Sequence, residues 1–142
     1  MKKSAVVLIV IIVIVLILLF SMVGSYNSLV NKSEAVKTAY SQIDNQLQRR
    51  NDLIPNLVET VKRYAEHETE VFTNVAEARS KLAGAATISE TAEADAQMTG
   101  ALSRLLALAE RYPDLKANTN FIQLQDELAG TENRIAVARR DY

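Results

Sequence analysis

A single histidine, His67, stands in a chain without cysteine, and it opens the one string that approaches a reactive motif. His67-Glu68-Thr69-Glu70-Val71 begins like a zinc-protease helix, in which two histidines four residues apart hold the metal and the glutamate between them acts as base. Val71 occupies the place of the second histidine, so an ion cannot be gripped there. A di-iron site in a helix bundle needs two Glu-x-x-His pairs and two further carboxylates. Tyr64 stands three residues before the lone histidine, and that reading fails as well. A Gly-rich phosphate loop, a nucleophile elbow and a Ser/His/Asp set are all missing, which leaves little for nucleophilic catalysis. The residues predict no catalytic group, no cofactor and no metal site, with His67 a surface histidine beside a carboxylate.

The charged residues offer structural chemistry instead. Glu68 falls on a seam position of an otherwise apolar heptad, where a carboxylate is costly to bury unless it is paired. Arg134, one step from the apolar Ile135, is its expected partner in a polar layer that fixes helix register. A solvated Glu68 at the seam's edge is the alternative. Asp52 reads as a helix N-cap with Pro55 in the first turn, where the missing N–H costs nothing. A kinked but continuous helix is the other reading of that string. Arg49 and Arg50 pin this turn or form a polar tip that a partner recognises. Pro113 reads as a helix stop.

These residues must be carried by long elements, because the chain has only four Gly and two Pro in 142 residues. Its first element is an apolar run from Ala5 to Phe20, continued by Ser21, Met22 and Val23. Roughly 20 such residues, at about 1.5 Å each, cross the ~30 Å core of a bilayer. The run is longer than a signal peptide's apolar region, despite a weak cleavage-like Val23-Gly24-Ser25, and is expected to be a retained transmembrane helix over 5–24 after a short flank, 1–4. Lys2 and Lys3 precede it, and Lys32 is the nearest base beyond. That asymmetry places the N-terminus in the cytoplasm and the remainder outside. All 17 acidic residues follow Gly24, and only Lys2 and Lys3 of the 16 basic ones precede it, so the remainder carries a formal −3. A nucleic-acid partner would call for a basic stripe and is not expected. Without cysteine, disulfides and thiolate metal sites are excluded.

Beyond the anchor the apolar period is helical throughout. Leu29, Val36, Tyr40, Ile43 and Leu47 share one face of a helix over about 26–50, which nothing but Gly24 separates from the anchor. Leu57, Val61, Tyr64, Glu68, Val71, Val75, Ala78 and Leu82 step by four and three through a second helix, about 53–83. Thr87-Ile88-Ser89-Glu90 fits a capping box that starts a third, about 88–112, with Ala92, Ala96, Thr99, Leu102, Leu105, Leu106, Ala109 and Tyr112 on its seam. Phe121, Leu124, Leu128, Thr131, Ile135, Ala138 and Tyr142 mark a fourth, about 119–142, whose last turn carries Arg139 and Arg140. Four such segments with short connections predict an all-α fold: one N-terminal transmembrane helix followed by an up-and-down four-helix bundle over 25–142.

Tyr26-Asn27, Arg49-Arg50-Asn51-Asp52-Leu53-Ile54-Pro55-Asn56-Leu57-Val58, His67-Glu68 and Ala78-Arg79 stand in order along the chain. Leu102-Ser103-Arg104-Leu105, Glu110-Arg111-Tyr112-Pro113-Asp114-Leu115-Lys116-Ala117 and Gly130-Thr131-Glu132-Asn133-Arg134-Ile135-Ala136 follow. Together these strings resemble the LemA family of bacterial membrane proteins, and the resemblance covers Tyr26 to Tyr142. It implies an N-terminal anchor or lipid-attachment signal, a four-helix bundle and no assigned catalytic activity. Some members carry a lipoprotein cysteine just before the Tyr-Asn pair, where this chain has Gly24-Ser25 and no lipid route. Members usually continue past the position of Tyr142, so an early stop or a truncation is expected here.

Two function classes follow. The first is a membrane-anchored, non-enzymatic scaffold that forms homo-oligomers or engages cell-envelope proteins, with tethering in the lipid bilayer raising the effective concentration. The second is a sensory or ligand-binding bundle, which calls for a cavity lined by Tyr40, Tyr64 and Tyr112.

Overall fold

The computed structural model describes residues 3–142, with side-chain surroundings from Val7 onward. The expected flank 1–4 lies in part outside the described residues, and so do the surroundings of the two lysines used to orient the anchor. Five helices follow in order: α1 (Lys3–Lys62), α2 (Thr69–Gly84), α3 (Ile88–Leu108), α4 (Pro113–Lys116) and α5 (Thr119–Asp141). The fold is all-α among the described residues, as the periodicity predicts.

The anchor and the first bundle helix are one element. α1 has 60 residues, a rod of ~90 Å. Gly24 does not interrupt it, because Gly in a helix costs only about 1 kcal/mol relative to Ala. Nor does the expected break at Arg49–Pro55 occur. Pro55 lies inside the helix, Asp52 is exposed in mid-helix rather than capping an end, and the continuous reading is the correct one. Pro55 forfeits its bond to the carbonyl of Asn51, a loss of about 3 kcal/mol in a helix interior. Ile54 and Leu57 on either side are buried, at 1% and 0% exposure, and their packing holds the helix through the proline.

The chain reverses at Tyr64–Glu68 instead, where the sequence shows an unbroken heptad. Ala65 is buried there at 1% exposure, and the N–H groups of Tyr64 and Ala65 both donate to the carbonyl of Val61. Folding back lets Phe72 and Val75 of α2 cover Leu57 and Val61 in one apolar cluster. A straight continuation would leave both seams bare, so tertiary burial overrides the local helical preference.

α2 and α3 form an antiparallel hairpin, α1 packs against α5 from the other end of the chain, and the core lies between these two pairs. The capping box at the start of α3 is present: Thr87 Oγ1 accepts from the N–H of Glu90, and the Glu90 carboxylate accepts from the N–H of Thr87 and of Ala86. α3 ends at Leu108, earlier than Pro113 would stop it. Pro113 starts the four-residue α4 at its first position, where a proline is tolerated. Asn118 caps α5 by accepting from the N–H of Phe121. In α5 the predicted face is the buried one at Phe121, Leu128, Thr131, Ile135 and Ala138. In α3 the first half of the predicted face is rotated. Ala92 and Ala96 are exposed, and Ala94, Asp95 and Met98 are buried.

Between the anchor and the bundle, α1 runs alone. α5 ends against it at Tyr40, whose ring lies 6.0 Å from that of Tyr142. From Gly24 to Ala39 the helix therefore forms a neck of ~24 Å.

Candidate functional site: a buried polar layer

The rotation of α3 has a cause on α1. Leu47, Arg50, Ile54 and Leu57 continue the α1 seam in steps of three and four, and a helix that passes through Pro55 must bury Arg50. Its side chain is 1% exposed, and the Asp95 side chain that meets it is 2% exposed. Arg139, from the last turn of α5, binds the other oxygen of Asp95. Arg50 Nη1 also donates to Glu132 Oε2 at 2.7 Å and to Thr99 Oγ1 at 3.3 Å. Two guanidinium groups and two carboxylates thus join α1, α3 and α5 in a layer of zero formal charge.

A buried arginine without this company would be prohibitive. Burial lowers the Arg50 pKa, and the charge of Glu132 and its hydrogen bond oppose that shift. Arg50 stays protonated regardless, since a guanidinium does not titrate in proteins. The layer is not fully satisfied: Arg50 Nε, Gln46 Oε1 and Asn51 Oδ1 are buried without a hydrogen-bond partner. Arg50 is therefore no tip residue. Arg49 beside it is exposed and lies 4.0 Å from Glu127, also exposed, a pair worth little in water.

The expected pair of Glu68 and Arg134 is not brought together. Glu68 sits at the start of α2, where it binds Arg111 Nη2 at 3.0 Å and accepts a long bond from the Tyr112 hydroxyl at 3.5 Å. Arg134 is exposed on α5 at the other end of the bundle. A polar layer linking α1, α3 and α5 exists, built from other residues. His67 is exposed, and the described residues hold no cluster of three or more His, Cys, Asp or Glu that could bind a metal.

Tyr40, Tyr64 and Tyr112 do not surround one cavity. Tyr40 lies near the foot of the bundle against Tyr142, whereas Tyr64 stands just beyond the far end of α1, more than 20 helical residues away. Tyr64 accepts from Asn118 Nδ2 at 3.0 Å near the membrane-distal turn. The larger concavities are open grooves of ≈ 380 and ≈ 390 Å³, the first lined by Gln42, Gln46, Asn133 and Arg134 among others, the second by Lys81, Glu90 and Glu93.

Among the described residues one helix, α1, is long and apolar enough to cross a membrane, and none of its apolar window is buried in the bundle. Residues 39–142 match the LemA family model, the span that packs as the bundle. Magnetosome protein MamQ 2 of Paramagnetospirillum magneticum is 27% identical over 82% of this chain and 53% of its own length. Protein LemA of Metamycoplasma hominis is 27% identical over 87% of this chain and 57% of its own. Magnetosome protein MamQ of Magnetospirillum gryphiswaldense is 24% identical, with 82% and 53% covered. The chain spans a little over half the length of these curated relatives. With an apolar anchor helix, a bundle of the expected architecture and a family model matching that whole bundle, this membrane-anchored chain belongs to the LemA family.

Proposed function

We propose that the protein is a non-enzymatic scaffold that holds a helical bundle at a fixed height outside the cell membrane and presents it to other copies or to envelope proteins. The observation that carries this reading is the continuity of α1 from the apolar segment to the end of the bundle seam. A single helix transmits position and orientation, where a flexible linker would transmit neither. The apolar core and the open grooves favour contact through surfaces over capture of a small molecule in an enclosed cleft. The bundle is placed outside because Lys2 and Lys3 mark the cytoplasmic end. Ser89, in the exposed first turn of α3, is the reporter position for this: a S89C variant in whole cells should react with an impermeant thiol reagent. Light scattering of the detergent-solubilised chain after size exclusion tests the function. A discrete homo-oligomer or an extended assembly supports the scaffold, and a monomer at every concentration that small ligands stabilise would replace it with a sensor.

A further inference from the structure

The α2–α3 hairpin is joined to the α1–α5 pair by two chain connections, 63–68 and 109–118, and both lie at the membrane-distal end. There they are tied to each other. Glu68 of the first meets Arg111 and Tyr112 of the second, and Tyr64 accepts from Asn118 at 3.0 Å. At the opposite end the hairpin turns at 85–87 without crossing to α1 or α5. The apolar cluster of that end, Ile43, Leu47, Ile135 and Ala138, belongs to α1 and α5 alone. Among the described residues, the hydrogen bonds and ion pairs between the hairpin and the α1–α5 pair are those of Asp95 with Arg50 and Arg139, and of Thr99 with Arg50.

We propose that the α2–α3 hairpin is a flap that swings on these two distal connections and is latched at its membrane-proximal end by Asp95. The open flap uncovers Ile54, Leu57 and Val61 of α1 and Phe121 and Leu128 of α5, an apolar face that the closed bundle hides. Leaving the core forfeits apolar burial, so the closed form dominates and the open one is a minor population. The inference goes beyond the scaffold reading and holds whether or not copies associate.

The latch suits a reversible contact. When the hairpin leaves, Arg50 keeps Glu132, 2.7 Å away within the α1–α5 pair. Water then reaches Arg50 Nε, which is buried without a partner in the closed form, and it rehydrates Asp95. Opening therefore returns the desolvation cost of the closed layer. The hinge offers little resistance. Glu68 starts α2 without a side-chain cap bond, and 63–68 contains neither Gly nor Pro while carrying the heptad Val61, Tyr64, Glu68 and Val71 through the bend. Those residues can take up helical backbone as the bend relaxes. The hairpin is internal to the chain, so its two connections are the same whatever follows Tyr142.

The chain has no cysteine, so single introduced thiols report opening directly in the full chain in nanodiscs. Met98, beside the latch, and Leu105, nearer the hinge, are both 0% exposed. M98C should nevertheless react with a thiol reagent about tenfold faster than L105C, because a small swing bares the latched end first. Asp95→Asn should speed M98C by about tenfold or more again, and leave I43C, buried between α1 and α5, at its native rate. Spin labels at D44C/S89C should gain a longer distance in that variant, while D44C/R134C keeps its own. Equal rates at M98C and L105C overturn the proposal, as does acceleration of M98C and I43C together in a D95N chain whose circular dichroism stays native. The first comparison uses the native latch and decides the matter on its own where Asp95→Asn fails to fold.

Discussion

Above Arg50 the two helix pairs enclose an apolar core in which Leu57, Val61, Met98, Leu105 and Leu115 are all completely buried. Below it, toward the membrane, only Ile43, Leu47, Ile135 and Ala138 form an apolar cluster, and the two-helix contact ends at Tyr40 and Tyr142. The upper half is held by apolar burial over four helices. The lower half is held by two helices and a charged layer at their junction with α3. Burial is tolerant of exact pairing, and ion pairs are not. The upper half therefore supplies stability, while the layer fixes which residue of α5 stands opposite which residue of α1.

The largest expected effect is at the junction. Asp95→Ala leaves Arg50 buried with only Glu132 and Thr99 and strips Arg139 of its partner, a loss of about 3–5 kcal/mol. Chemical unfolding of the solubilised chain measures it. The triple variant R50M/D95L/R139M should recover most of that loss, since apolar replacement of buried ion pairs is often neutral or better. If the triple variant is as unstable as the single one, the layer contributes more than compensation of its own burial cost. Leu105→Ala in the apolar core follows, at about 2–5 kcal/mol. Ile135→Ala below the layer is expected at the low end of that range, because a site near the open end can collapse.

Most of the architecture is legible in the sequence, because the α5 seam and the capping box are local signals. The layer is not, for a traceable reason. Asp52 and Pro55 have the form of a helix start, and accepting that start takes Arg50 off the seam and makes it a loop residue. Read through the proline, Leu47, Arg50, Ile54 and Leu57 place an arginine among buried positions, and a carboxylate partner is then required. Asp95 follows, since a one-residue rotation of the α3 face brings it inward and still buries Met98 and Leu102. The turn at Tyr64–Glu68 leaves no such trace, having neither Gly nor Pro and an apolar period that runs through it unbroken. Only the gain from packing Phe72 and Val75 on Leu57 and Val61 produces it, and that gain is not local.

A smaller effect belongs to the membrane-proximal turn. Thr87→Ala removes the side-chain half of the capping box and should cost about 1 kcal/mol. The Glu90 carboxyl is held below its ordinary pKa by the backbone N–H of Ala86 and then of Thr87. A depressed folded-state pKa gives stability that is complete above the unfolded value and is lost as pH falls through the folded one. From about pH 5 downward the native chain should lose more stability than Glu90→Gln, whose amide does not titrate. Parallel acid titrations of the two that coincide would remove the cap from the pH response.

The smallest effect sharpens the contrast most. Leu29→Ala and Val36→Ala change the same seam as Leu57→Ala, in the same helix and at the same heptad positions. Yet in the isolated chain they should shift stability by less than about 0.5 kcal/mol. A side chain that is already exposed, as Leu29 and Val36 are, loses no burial when it is truncated, and alanine keeps the helix. The prediction therefore separates periodicity from burial: the pattern alone makes these positions equivalent, and only the covering helices make them different. A loss of 2 kcal/mol or more at Leu29 in the isolated chain, read by chemical unfolding, would mean that the neck is already covered. Those neck positions would then belong to the core.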